Sequence, residues 1–106
     1  MFGIINQLFG SGADTANIKA QLDNGAMLLD VRTPGEFNSG HAKGAVNIPL
    51  QSLQQNLEKI KKSGKPVVAY CRSGNRSGMA AQMLTQNGIE AYNAGSLGQV
   101  EAIMKG

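Results

Sequence analysis

The chain has 106 residues, 42% hydrophobic and 16% charged, with a net charge of +3, one Cys and no Trp. That is one domain of ordinary globular composition, long enough to bury a core. A single thiol excludes an internal disulfide, no run is long and apolar enough to span a membrane, and so weak a basic excess with few aromatics argues against a nucleic-acid surface.

Residues 1–13 open on MFGIINQLFG, which Asn6 and Gln7 interrupt and no cation precedes, so the stretch makes a poor signal peptide. It is expected to be an apolar arm or short helix that packs Phe2, Ile5 and Phe9 on a single domain spanning residues 14–106. Together with the lone thiol, this points to a cytoplasmic chain, either a monomer or a small homo-oligomer that the arm could help to join. Next, DTANIKAQLDNG predicts a helix, with Asp14 or Thr15 as N-cap and Gly25 as its stop. Ala26–Val31 is a continuous apolar run of strand length, and Pro34 starts a brief helical turn in TPGEFNSG. Gly44–Pro49 reads as a second strand ended by proline.

Leu50, Leu53, Leu57 and Ile60 fall on one helical face, with Gly64 as the stop. Lys59, Lys61, Lys62 and Lys65 suit that helix's solvated last turn. Pro66–Tyr70 is a third, β-branched strand. A helix follows with Ala80, Met83 and Leu84 inward and Gly88 closing it. EAYN is a fourth strand, and SLGQVEAIMK a last helix with Leu97, Val100, Ile103 and Met104 as its apolar stripe. Strand alternating with helix predicts an α/β domain with a mostly parallel sheet covered on both faces. In such sheets the site lies beyond the carboxyl ends of the strands, where Asp30 and Cys71 stand.

Cys71 is followed directly by Arg72, Ser73, Gly74, Asn75, Arg76 and Ser77. A helix beginning near Arg76 or Ser77 aims its free N–H groups back at the loop. Gly74 permits the backbone angles of a chain curling round a small anion. Arg72 and Arg76 add positive charge. All three favour a thiolate, so Cys71 is expected to be an activated nucleophile and not an inert core thiol.

With YCRSGNRS go the residues LLDVRTPGEFNSGHAKGAVNIPL, and the two segments together resemble the rhodanese family of thiosulfate:cyanide-type sulfurtransferases. The resemblance covers residues 14–104. It implies a rhodanese-like α/β fold with about five strands, mostly parallel, flanked by helices on both faces. It also implies a thiosulfate sulfurtransferase whose Cys71 carries a persulfide in the loop Cys71–Arg76, with Arg72, Ser73, Gly74, Asn75, Arg76 and Ser77 holding the substrate. The partners it implies are a small anionic sulfur donor and an external acceptor, either cyanide, a thiol or a protein, because no second cysteine exists to resolve the persulfide. Two departures stand out. Gly95 is followed by Ser96 where the family has a second glycine and often a tryptophan soon after, and Ala42–Lys43 replaces the commoner Ile-Pro.

Asp30, Arg32 and Glu36 read as a brace for the loop. His41, the only histidine, is expected to bind backbone in its turn, since a pre-ionised thiolate needs no base. No ligand spacing for a metal exists, and no cofactor is called for. The rival chemistry is a cysteine-dependent phosphatase or arsenate reductase. Those loops put five residues between Cys and Arg. Here four intervene, a cradle too tight for a phosphoryl group and suited to one sulfur. The other alternative is a persulfide carrier or interaction module with little free turnover.

Overall fold

The apolar runs become the strands of a single sheet, each alternating its side chains between two helical layers. The structure is a computed structural model that describes residues 15–105. The predicted arm and the candidate cap Asp14 lie outside the described residues. Helix α1 (Thr15–Asp23) leads to β1 (Met27–Asp30), α2 (Pro34–Asn38), β2 (Val46–Asn47), two 3₁₀ turns and α3 (Leu57–Ser63). Then come β3 (Val67–Cys71), α4 (Asn75–Gln86), β4 (Ala91–Ser96) and α5 (Leu97–Lys105). Among the described residues no helix is long and apolar enough to cross a membrane.

The strands are all parallel and lie in the order β2-β1-β3-β4. Among the described residues the sheet therefore has four strands, those read from the residues themselves, and not the five that the resemblance implied. The chain leaves β1 for β2 on one side, then returns past β1 to lay β3 and β4 on the other. The direction reverses between β1 and β3, and this switch point is where such sheets open a crevice at the strand ends.

Period-two alternation divides the core. Leu29, Val31, Val67, Ala69 and Cys71 face α3 and α4, meeting Leu57, Ile60, Ala80, Ala81 and Leu84. Leu28, Val68, Tyr70 and Ala94 face the opposite layer, meeting Ile18 of α1 and Val100 of α5. Burying each large aliphatic side chain contributes about 1.5–3 kcal/mol, which holds β1 and β3 at the centre, whereas β2 buries neither of its residues and is held by its pairing with Leu29 and Asp30 of β1.

The helix predicted from Leu50 is broken. Its first part forms the 3₁₀ turns Leu50–Ser52 and Gln54–Asn56. The cause is local: Asn56 Nδ2 donates to the Ser52 carbonyl at 2.9 Å, occupying the acceptor an α-helix would give the Asn56 N–H. That N–H turns to Leu53 O instead, at 2.9 Å. The predicted apolar face survives, since Leu53, Leu57 and Ile60 are buried and Leu50 packs beside them.

At the carboxyl end of β1, the Asp30 and Arg32 side chains form a buried pair, with Arg32 Nη2 2.7 Å from Asp30 Oδ2. Arg32 Nη2 also donates to the Gly40 carbonyl at 2.6 Å. The Tyr70 hydroxyl donates to Asp30 Oδ2 at 2.7 Å and accepts from the Ala42 N–H at 3.0 Å. One network thus joins β1, β3 and the turn after α2. Burial first, and then the Asp30 carboxylate, push the Tyr70 phenol up to about 12. Tyr70→Phe leaves the Ala42 N–H unmatched in the interior and removes one of the donors on Asp30 Oδ2, which keeps Arg32. It is expected to lower the unfolding free energy by about 1–3 kcal/mol in urea titrations with an unchanged slope.

Candidate active site

Strand β3 runs one residue past its predicted end and delivers Cys71, fully buried, to the switch point. Beside it β4 bulges. Ala69 pairs with Asn93, but Cys71 pairs with Ser96, so β4 carries an extra residue there.

The loop curls tightly after Cys71. Gly74 adopts φ +96°, a left-handed conformation, and caps α4, which starts at Asn75, slightly earlier than predicted. The position needs glycine for its angle; a Cβ there would meet Gly95 Cα at 3.4 Å, an ordinary contact. The curl brings the Gly74 N–H to 2.9 Å from Cys71 Sγ, and the Ser77 hydroxyl to 3.3 Å. Burial raises the thiol's pKa. The Ser77 hydroxyl, with the N–H groups of Ser77, Gly74 and Ser73, outweighs burial and pulls the net value down. The lowering thus comes from hydrogen bonds of the helix start and the glycine turn, led by the Ser77 hydroxyl, while neither arginine is among the groups that bond the sulfur.

The arginines differ. Arg76 is clamped by Glu36, Nη1 to Oε1 at 2.9 Å and Nη2 to Oε2 at 3.1 Å, although it still senses charge on Cys71. Glu36 is oriented by its own helix end. It accepts from the Thr33 N–H at 3.0 Å while its N–H donates to Thr33 Oγ1 at 3.2 Å, a capping box. Glu36 thus braces the loop directly, apart from the Asp30–Arg32 network. Arg72 and Ser73, the two residues after the sulfur, are exposed. Among the described residues no carboxylate pairs with Arg72. Asn75 is exposed at the first turn of α4.

His41 is exposed. Its Nδ1 lies 2.9 Å from the Phe37 carbonyl and its ring stacks on Phe37 at 3.7 Å between centroids, a backbone-binding role as expected but toward α2. Among the described residues, no three His, Cys, Asp or Glu side chains come together as a metal site.

Two residues at the site escaped sequence reasoning. Tyr70 looked like a mere strand residue. Asn93 donates from Nδ2 to the Gly74 carbonyl at 3.1 Å and accepts from the Ser77 hydroxyl at 2.6 Å. The signal for Asn93 was present: asparagine is disfavoured within strands, and this one falls on the α4-facing phase beside Ala91.

Residues 14–98 match the model of the family described as Rhodanese-like domain. An uncharacterized protein of Bacillus subtilis, YqhL, is 52% identical over 69 residues, 64% of this chain and 54% of that protein. The chain thus spans little more than half of that relative's length. The thiosulfate sulfurtransferase PspE of Escherichia coli is 34% identical over 71 residues, 65% of this chain and 68% of PspE. A solved structure described as a rhodanese with anions from E. coli superposes with a TM-score of 0.64 at 32% identity, covering 70% of this chain and 89% of that one.

The clamp on Arg76 has a pH signature. Its guanidinium, followed by the Thr33 N–H, holds the Glu36 carboxyl down at about 2. A carboxyl depressed on folding contributes stability that is fully present above its unfolded value of about 4.3 and is lost as pH falls toward the folded value. Urea midpoints are expected to fall between pH 4 and pH 2 more steeply in the parent chain than in Glu36→Gln. Equal slopes would show that the ion pair does not form in solution.

Proposed function

The chain belongs to the rhodanese-like domain family, and from that premise we propose that it is a thiosulfate sulfurtransferase working through a Cys71 persulfide, with residues 14–106 as the working unit. The observation that carries this reading is the sulfur itself, a buried Cys71 Sγ met by the Gly74 N–H at 2.9 Å and the Ser77 hydroxyl at 3.3 Å. Groups that stabilise a thiolate also stabilise negative charge on a sulfur bound to it.

In the first step the Cys71 thiolate attacks the outer sulfur of a small anionic donor such as thiosulfate. The Cys71–sulfur bond forms, the donor's S–S bond breaks, and its electron pair departs with sulfite. In the second step an external nucleophile attacks the outer sulfur of the persulfide. The bond to Cys71 breaks, its electron pair returns to Cys71 as thiolate, and the acceptor leaves as a persulfide, or as thiocyanate when the acceptor is cyanide. Both steps balance without an oxidant, and neither needs a general base, so His41 plays no part.

Arg72 is the substrate-binding cation in this scheme, because Arg76 is already matched by Glu36. Arg76, Ser73, Gly74, Asn75 and Ser77 shape the cradle. Asp30, Arg32 and Glu36 hold the strand end and the loop. The lone thiol suits a reducing compartment such as the cytoplasm. With no second cysteine in the chain, the acceptor comes from outside, as a small thiol or a protein.

Two measurements test the proposal. Incubation with thiosulfate is expected to add the mass of one sulfur atom to the intact chain. The gain is expected to vanish on adding cyanide and to be absent in Cys71→Ser. No gain, combined with turnover of an aryl phosphate, sinks the reading in favour of phosphatase chemistry. In steady-state kinetics Arg72→Ala is expected to lower kcat/KM for thiosulfate about tenfold, the scale of one lost charge-assisted hydrogen bond. Arg76→Ala is expected to lower it less, and the opposite ranking overturns the assignment of the donor-binding cation.

A further inference from the structure

The Asn93 side chain makes its hydrogen bonds at a point where the loop, α4 and β4 converge. Nδ2 donates to the Gly74 carbonyl at 3.1 Å, while Oδ1 accepts from the Gly95 N–H at 2.9 Å and from the Ser77 hydroxyl at 2.6 Å. A carbonyl only accepts and a backbone N–H only donates, so these two neighbours allow the amide one orientation. Oδ1 is therefore a fixed acceptor facing Ser77.

Ser77 is buried and has a single hydroxyl proton. Three acceptors lie within its reach: Asn93 Oδ1 at 2.6 Å, Cys71 Sγ at 3.3 Å and the Gly95 carbonyl at 3.5 Å. The charge on sulfur decides which is best. A thiolate is a charged acceptor and outcompetes an amide oxygen, whereas a neutral thiol or the inner sulfur of a persulfide accepts only weakly.

We propose that Asn93 is a positioning residue that gives the Ser77 proton a resting acceptor, so that the hydroxyl turns to Cys71 Sγ when the sulfur bears charge and back to Asn93 when it does not. The motion is a rotation about the serine Cβ–Oγ bond, and no covalent bond changes. Its role in turnover rests on the sulfurtransferase reading. As the thiolate attacks a donor, charge leaves Sγ and the proton swings to Asn93, so the buried hydroxyl never loses its partner. As the acceptor removes the outer sulfur, charge returns to Sγ and the proton swings back to meet the leaving group.

The charged groups around the sulfur are Arg72, next in the chain, and Arg76, paired with Glu36 of α2. Asp30 and Arg32, at the end of neighbouring β1, are paired with each other. The groups bonded to Asn93, from Gly74, Ser77 and Gly95, are uncharged, so its effect on Cys71 passes through the Ser77 hydroxyl or through Gly74, whose carbonyl it holds and whose N–H meets the sulfur at 2.9 Å, and the Ser77→Ala background separates the two routes.

The test is the pH profile of Cys71 alkylation by iodoacetamide in the full reduced chain, for the parent, Asn93→Ala, Ser77→Ala and the double variant. Asn93→Ala removes the competing acceptor, so its profile is expected to move to lower pH by about half a unit. Ser77→Ala is expected to move the profile to higher pH, and Asn93→Ala is expected to add nothing in that background. A purely architectural asparagine would move both backgrounds upward or neither, and either result overturns the proposal. If Asn93→Ala does not fold, as judged by circular dichroism, Asn93→Asp keeps an acceptor for Ser77 and Gly95. Its carboxylate holds the proton harder, so its upward shift is expected to be larger in the parent background than in the Ser77→Ala background, and equal shifts overturn the proposal. Alkylation requires no sulfur donor. Failure here therefore leaves the sulfurtransferase reading standing, and failure of the thiosulfate mass gain leaves this coupling to be judged by itself.

Discussion

On the proposed sulfurtransferase reading a sulfur with no exposed surface must carry negative charge, and the rest of the site is arranged as that constraint requires. Cys71 sits in the same apolar cluster as Leu29, Val67, Ala69 and Ala80. Water cannot solvate a charge placed there, and an unpaired charge in such surroundings is ruinous. The protein has to supply the donors itself. The open N–H groups of a helix start are the densest source of donors a backbone offers. To bring them onto the sulfur, the chain must reverse within a few residues of the strand end. That reversal demands the left-handed Gly74. Gly78, one turn into α4, is thin for a different reason: a Cβ there would lie 3.3 Å from Asn93 Nδ2. The bulge in β4 then brings Gly95 and Asn93 beside that turn.

Two ion pairs flank the sulfur, and they differ in kind. Asp30 and Arg32 are almost wholly buried. Such a pair adds little net stability over an apolar replacement, yet breaking one half strands a charge at large cost. Its value lies in geometry. It ties the end of β1 to the turn carrying Gly40 and to Tyr70, the residue before Cys71. Both strands at the switch point are thereby held at one height. Glu36 and Arg76 are partly exposed, so screening keeps their contribution to stability small. Their effect is to cancel one of the loop's two cations. Arg72 is exposed and, among the described residues, has no carboxylate partner, which is why it takes the donor on the proposed sulfurtransferase reading.

Much of this was legible in the sequence, and the reasons are physical. Strands and helices were readable because each buries one phase of its side chains, as with Leu29 against Leu28 or Leu57 with Ile60. The Cys71–Ser77 loop was readable because its chemistry is contiguous: nucleophile, glycine and helix start all lie within a few residues. What was not readable is what pairs across distance. Arg76 with Glu36, and Ser77 with Asn93, meet only because α2 and β4 are folded beside the loop. The break after Leu50 was missed for the opposite reason, being too local. One asparagine side chain, Asn56, takes a carbonyl from the helix, and no apolar pattern records that. The fifth strand came from the family resemblance and not from any run of residues in this chain.

The departures from the family pattern resolve in the same terms. Ser96 stands where a second glycine is common. The left-handed angle is needed at Gly95, with φ +90°, and the next residue is free to do something else. It caps α5. Ser96 Oγ accepts from the Gln99 N–H at 3.1 Å while Gln99 Oε1 accepts from the Ser96 N–H at 2.8 Å. A glycine could offer neither side-chain bond, so the exchange trades backbone freedom for a fixed helix start. On the same helix, which lacks the tryptophan, Val100 is fully buried and Leu97 packs against the same cluster. Fixing α5 at its first turn fixes the end of β4, and β4 carries Asn93 and Gly95 to the sulfur loop. A substitution that looks like a lost glycine in the sequence thus acts, three residues from Asn93, as a brace for the strand that orients Ser77.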